Sequence, residues 1–329
     1  MERRDRFRGA LVGLAVGDAV GVTLEFRRPG TFEPLTDLVG GGPFHLAPGQ
    51  WTDDTSMALC LAASLVRCHG FDASDQMRRY VAWWRRGYLS CTGTCFDIGG
   101  TTAAALARFE HDGNPLAGSH DERQAGNGSL MRLAPVPMFK AAKPANTLFA
   151  ASAASSGTTH GAPQAVDACG AYGVLLGAAL NGATKGDALA LDVPGSLAAL
   201  DSARPLHPAV QAVLDGSYRR KEPPAIRGTG YVVDTLEAAL WALERTHSFR
   251  DGLLKVVNLG DDADTTGAVY GQLAGALYGV EAIPAEWRAR LAWIDLIVEL
   301  ADALEALSRG EQVPVPARLV ELDARYDVA

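Results

Sequence analysis

The sequence has little with which to build cross-links, membrane spans or a nucleic-acid surface. Its five cysteines (Cys60, Cys68, Cys91, Cys95, Cys169) are sparse in 329 residues, odd in number and form no CxxC pair. That argues against a disulfide framework or zinc knuckle and fits reduced thiols in a cytoplasmic protein. No stretch reaches the roughly 18 uninterrupted apolar residues of a membrane span. The opening MERRDRFRGALVGLAVGDAVG has the basic head and apolar run of a secretion signal, but Asp18 interrupts the run and no small-residue cleavage site stands out. Lys and Arg total 30 against 38 Asp and Glu, so the formal net charge of -8 gives no chain-wide attraction for nucleic acid or anionic membrane. Strand signals are scarce too, because β-branched and aromatic residues rarely alternate with polar ones.

What is present is alanine, leucine and glycine at helical spacing. A hydrophobic content of 48% is ample for a buried core. The pattern predicts an all-α fold with helices near 6–21, 54–69, 73–86, 101–109, 145–155, 163–181, 232–245, 248–257, 265–279 and 285–308. Gly- and Pro-rich loops fill 27–51, 87–100 and 111–136, and a longer stretch covers 183–230 and includes RRKEPPAIRGTG. Charged motifs fall on both sides of that stretch, so residues 1–329 are read as one domain carrying an insertion near 183–230. Gly9, Gly13, Gly17 and Gly21 recur every fourth residue, as do Gly267, Gly271, Gly275 and Gly279. Each interior glycine costs a helix about 1 kcal/mol relative to alanine. Close backbone approach is the physical compensation, which places both helices at the centre of the fold, where they would cross.

Acidic residues gather at two helix starts. GQWTDDTSMAL sets Thr52, Asp53, Asp54 and Thr55 before one apolar run, and GDDADTTGAVYG sets Asp261, Asp262, Asp264, Thr265 and Thr266 before another. One Asp or Thr there is an ordinary helix cap. Clusters exceed what capping requires, and adjacent carboxylates repel unless a cation shares them. Hard oxygen donors suit Mg²⁺ or Mn²⁺, two such ions being the arrangement that uses most carboxylates. Glu25 closes the first glycine helix between Leu24 and Phe26, where it can face a pocket. Asp97 precedes the helix near Thr101, where a cap explains it equally well. His45, His69, His111, His120, His207 and His247 show no ligand spacing. Trp83 and Trp84 read as core and rim residues, with Tyr88 or a tryptophan as candidates for the cleft border.

The segments GALVGLAVGDAVGVTLEF, WTDDTSMAL, FDIGGTTAAAL, GNGSLMRLAPV, TTHGAPQAVDACGAYGVLL, GYVVDTLEAALWAL and VNLGDDADTTGAVYGQLAGALYG occur in this order from residue 9 to residue 279. Together they resemble the ADP-ribosylglycohydrolase family, which includes the dinitrogenase reductase-activating glycohydrolases and the eukaryotic ADP-ribosylhydrolases. The resemblance implies a compact, single-domain all-α fold with two Mg²⁺ or Mn²⁺ ions at the base of a cleft. By similarity Thr52, Asp53 and Asp54 match one ligand group, and Asp262, Asp264 and Thr265 match the other. Asp261 stands where the family usually has glycine and is not counted. Glu25 matches the family's glutamate near the scissile bond, and Asp97 matches a site acid. Gly100 stands where close relatives often have Asn. His160 matches the histidine of the T-H segment, and Tyr231 lies where an aromatic residue covers the adenine or its ribose.

The implied reaction is hydrolysis at C1″ of the distal ribose of ADP-ribose joined to a protein side chain or small conjugate. Metals hold the ribose diol and acidify water, and Glu25 or Asp97 moves protons between water and leaving group. The loop AGNGSLMR, with Gly126, Asn127, Gly128, Ser129 and Met131, offers backbone N–H groups to the pyrophosphate, helped by Arg132 if it points inward. Two other readings compete: a non-catalytic family member that binds ADP-ribose or serves a structural role, and a two-metal phosphoester hydrolase.

Overall fold

Two glycine-striped helices lie against each other at the centre of the molecule. The computed structural model describes residues 1–197 and 205–328. Among them the helices are α1 (Arg3–Gly21), α2 (Asp53–Cys68), α3 (Ala73–Arg86), α4 (Gly100–Asp112), α5 (Pro135–Phe139), α6 (Ala145–Gly157), α7 (Pro163–Leu180), α8 (Lys185–Leu189), α9 (Val193–Leu197), α10 (Pro208–Leu214), α11 (Val232–Arg245), α12 (Phe249–Val257), α13 (Ala263–Tyr278), α14 (Ala285–Arg290), α15 (Ile294–Ser308) and α16 (Ala317–Tyr326). No strand occurs among the described residues beyond isolated bridges such as Gly126 to Tyr231.

Gly9 faces Gly275, Gly13 faces Gly271, Gly17 faces Gly267 and Gly21 faces Ala263, so α1 and α13 run antiparallel. They lie side by side for ~18 Å instead of crossing at one point. A Cβ on Gly13 would sit 2.3 Å from the Gly271 carbonyl oxygen, and one on Gly271 2.0 Å from that of Gly13. The glycines thus set the interhelical distance, and van der Waals contact between backbones offsets their intrinsic helix cost. Around this pair pack α15, α12, α11, α7 and α2, with α6 against α7 and α3 against α2. The stretch Arg3–Leu24 is the one described helix long and apolar enough to cross a membrane, and most of it is buried in this core.

One departure from the sequence pattern helps position the site. The single helix expected over 285–308 is broken between α14 and α15, where Trp293 adopts φ 56°. The freed backbone pairs instead with the segment before Asp53: Ala292 N–H donates to Gly49 O at 2.9 Å and Trp51 Nε1 donates to Ala292 O at 3.2 Å. Trp51 also meets Trp293 edge to face at 5.7 Å, so the break anchors the approach to α2. In the stretch 183–230, the described residues form α8, α9, α10 and a 3₁₀ turn over Ser217–Arg220. The short α5 and the terminal α16 were also absent from the sequence pattern. Asp323 of α16 takes hydrogen bonds from Arg79 at 2.9 Å and Tyr88 at 2.6 Å, so Tyr88 is buried there and does not border the cleft.

Candidate active site

The acids at the starts of α2 and α13 do not cap their own helices. Thr52 and Asp262 occupy the N-cap positions, yet neither side chain makes a cap hydrogen bond. The orphan N–H groups are served from α1 and the turn that follows it. Asp18 accepts from Thr52 N–H at 2.9 Å and Thr55 N–H at 3.0 Å, and from the Thr52 and Thr55 hydroxyls at 3.0 and 2.6 Å. Glu25 Oε2 accepts from Ala263 N–H at 2.9 Å. With Thr52, Thr55 and Ala263 N–H served from outside the two helices, Asp53, Asp54 and Asp262 are not used as caps, and Asp264 accepts only the adjacent Thr265 N–H.

They converge. Carboxylate oxygens of Asp18, Asp54 and Asp264 lie within 4.8 Å of one another, and so do those of Glu25, Asp262 and Asp264. Asp264 belongs to both groups, so the two lie side by side. Thr52 Oγ1 reaches Asp54 at 3.1 Å and Asp264 at 3.3 Å. Asp262 is oriented by Asn127 Nδ2, which donates to it at 2.8 Å, and Asp264 by Thr265 N–H at 2.7 Å. Among the described residues no Lys or Arg forms an ion pair with these carboxylates, and Asp54 Oδ1 is buried with no hydrogen-bond partner. Buried, crowded carboxylates without a basic partner could hold a cation.

Electrostatics report the same crowding. Burial pushes Asp264 up to about 7 and Asp18 to about 6. Burial, and then the charge of Asp264, raises Asp97 to about 9 and also raises Glu25 and Asp54. Burial followed by the charge of Asp97 raises Asp53, and burial raises Asp262. A folded-state carboxyl pKa above the unfolded value favours folding when protonated, so this stability is full below about pH 4 and is lost as pH rises through about 6 to 9. Chelator-treated protein is therefore expected to melt at a lower temperature at pH 8 than at pH 5.5, and added Mn²⁺ is expected to restore the loss at pH 8. Scanning calorimetry at both pH values checks this.

A cavity of about 340 Å³ opens above these acids, lined by Glu25, Phe26, Asp53, Asp97, Gly126, Asn127, Gly128, Met131, His160, Asp262, Asp264 and Thr265. Asp97 faces the cavity and does not cap α4, whose N-cap is Gly99. Gly100 lines the same wall. Phe26, Asp97 and Asp261 adopt φ 60°, 60° and 56°, a left-handed conformation rare outside glycine. Phe26 N–H donates to Asp261 O at 2.7 Å and Asp261 N–H to Arg27 O at 2.8 Å. This pair of bonds clamps the turn after Glu25 to the turn before Asp262. Asp261 thus takes a backbone shape natural to glycine.

The loop 125–132 divides its residues between cavity and core. Asn127 N–H donates to Gly230 O at 3.1 Å, tying the loop to the segment before Tyr231. Tyr231 pairs by its backbone with Gly126 and is half-buried outside the cavity lining. Ser129 is buried and hydrogen-bonds Ser156 at 2.8 Å, away from the cavity. Arg132 also points inward to the core, not to the cleft, and donates to Gly128 O at 3.0 Å and Thr159 Oγ1 at 2.7 Å. The sequence reading missed Asp18 as part of the site. A charged residue inside an otherwise apolar glycine helix is the available signal.

Comparison with known proteins gives one family. A family model described as ADP-ribosylglycohydrolase matches residues 1–314. The ADP-ribosylarginine hydrolase Tri1 of Pseudomonas putida is 46% identical over 323 residues, which covers 97% of this chain and 81% of that protein. The ADP-ribosyl-(dinitrogen reductase) glycohydrolase of Rhodospirillum rubrum is 34% identical over 313 residues, covering 92% and 97%. A solved chain described as an ADP-ribosylglycohydrolase-related protein complex is similar with a TM-score of 0.82 at 45% identity, covering 93% of this chain and 99% of that one.

Proposed function

The chain belongs to the ADP-ribosylglycohydrolase family, and from that premise we propose that it hydrolyses the C1″ glycosidic bond between ADP-ribose and an arginine side chain, using divalent cations. The observation that carries the reading is the meeting at Asp264 of two carboxylate groups, drawn from segments far apart in sequence, at the base of one cavity. The relatives named ADP-ribosylarginine hydrolase, at 46% and 43% identity, support arginine as the acceptor. The five free cysteines support a reducing compartment such as the cytoplasm.

The donor set fits hard dications such as Mg²⁺ or Mn²⁺. Asp54, Asp262 and Asp264 supply carboxylates, Thr52 and Thr265 hydroxyls, and Asp53 a further acid at the cavity edge. Bound there, such ions supply Lewis-acid stabilisation and lower the pKa of water. The chain's own residues account for the rest. Asp18 holds the turn carrying Thr52, Asp53 and Asp54, and Asn127 holds Asp262. Glu25, fixed through one oxygen by Ala263, shares the cavity with Asp97. These two acids move the proton that leaves water and arrives on the departing guanidine nitrogen. The wall formed by Gly126 and Gly128 lets a diphosphate approach the backbone closely.

Incubation of ADP-ribosylated arginine with the protein and Mg²⁺ or Mn²⁺ is expected to release free ADP-ribose and unmodified arginine, read by mass spectrometry. AMP as product would assign a phosphoester hydrolase instead, and no turnover with ADP-ribose still bound would assign a binding protein. Glu25→Gln is expected to lower kcat by about 10² to 10⁴ while leaving the melting temperature within a few degrees. A variant that chiefly unfolds would make Glu25 a structural acid.

A further inference from the structure

Arg132 is fully buried, and among the described residues no carboxylate pairs with it. An unpaired buried guanidinium is costly unless its donors are engaged. Its Nη1 donates to Gly128 O at 3.0 Å, its Nη2 to Thr159 Oγ1 at 2.7 Å, and its cation lies over the Tyr80 ring at 4.6 Å. Thr159 Oγ1 in turn lies 2.8 Å from His160 Nδ1.

Proton bookkeeping fixes the directions. Arginine only donates, so the Thr159 oxygen accepts from Arg132. That oxygen keeps a second lone pair, so burial decides the bond to the ring: among the described residues the other hydrogen-bonding neighbour of Thr159 Oγ1 is His160 Nδ1, and the buried hydroxyl proton is satisfied only if Nδ1 accepts it. A ring nitrogen that accepts leaves the proton of the neutral imidazole on the other nitrogen. That other nitrogen, Nε2, faces the glycine wall of the cavity, 3.4 Å from where a Cβ on Gly126 would stand and 3.2 Å from one on Gly128. Burial, and then the charge of Arg132, holds His160 down at about 3, so the ring stays neutral at working pH.

We propose that Arg132 and Thr159 are positioning residues that lock His160 as the neutral Nε2–H tautomer, which presents a hydrogen-bond donor to a substrate oxygen at the glycine wall. The same assignment removes His160 from the metal ligands, because a protonated Nε2 has no lone pair to give. Arg132, through Gly128 O, also ties the wall to the relay that sets the donor. The ligand half of this proposal rests on the ADP-ribose reading above, whereas the tautomer half does not.

The test is ¹⁵N NMR of the His160 ring in the full-length protein without ligand, together with ADP-ribose titration calorimetry. Wild type and Thr159→Ser are expected to show a protonated Nε2 and a bare Nδ1 from pH 5 to 8. Thr159→Val is expected to lose that single state, with ADP-ribose binding about tenfold weaker, KM raised about tenfold and kcat within about twofold. A protonated Nδ1 in wild type overturns the proposal, as does a Thr159→Val protein that keeps both tautomer and affinity. If Thr159→Val does not fold, wild type and Thr159→Ser still decide the tautomer. The expected tautomer in a wild-type protein that does not bind ADP-ribose would overturn the ligand half and the ADP-ribose reading and leave the relay standing.

Discussion

Asp264→Asn is expected to lower kcat by at least about a thousandfold, the scale on which loss of one preorganised electrostatic group acts, while the protein stays folded. Asp264 is the residue common to both carboxylate groups, so one substitution acts on both proposed cation positions at once. It also removes a charge from a crowd that raises the neighbouring Glu25, Asp54 and Asp97. Two effects of opposite sign therefore come from one change. The metal-free variant should melt at or above the wild-type temperature near pH 8, because a like charge is gone. The rise in melting temperature expected of wild type with Mn²⁺ should shrink or vanish, because a proposed ligand is gone too. A variant that binds Mn²⁺ and turns over at the wild-type rate would remove Asp264 from the site. Asp54→Asn and Asp262→Asn test the two groups separately and should each weaken metal binding as well as turnover.

The second large effect is on the fold itself. Gly271→Ala and Gly13→Ala each place a methyl group between the backbones of α1 and α13, 2.0 and 2.3 Å from the opposing carbonyl oxygen. Backbone cannot turn aside as a flexible side chain does, so the helices must separate. A cost of about 3 kcal/mol or more is expected, at the upper end of overpacking effects. Gly157→Ala is the matched control: Gly157 ends α6 with open space where its Cβ would go. There alanine should be neutral or stabilise by up to about 1 kcal/mol. Denaturant unfolding of the three variants measures all of this. Equal stabilities for Gly271→Ala and Gly157→Ala would mean that the glycine seam does not set the packing distance. Because α1 carries Asp18 toward α2 and α13 carries Asp264, separation of the pair should also spread the site, and activity should fall even in variants that remain folded.

Much of this was legible because it is written in local periodicity. Four-residue glycine spacing identified the central pair, and two clusters of Asp and Thr before apolar runs identified the acidic groups. What the sequence concealed depends on groups distant in the chain. Capping and cation binding use the same residue types at the same helix position, and only the position of Asp18 and Glu25 across from the two helix starts separates the readings. Arg132 follows a glycine loop and reads as an anion contact, but the hydroxyl of Thr159 and the face of Tyr80 draw it into the core. Asn127 reads as a substrate contact, while its amide is engaged in orienting Asp262. The apolar pattern over 285–308 is continuous, and the break at Trp293 follows from backbone bonds to Gly49 and Trp51 that no window around residue 293 contains.

Anomalous diffraction from crystals grown with Mn²⁺ tests the centre of this account most directly. Two peaks are expected beside Asp264, one shared with Asp54 and the other with Asp262. Fully occupied Mn²⁺ elsewhere on the protein with no peak at these carboxylates would contradict it.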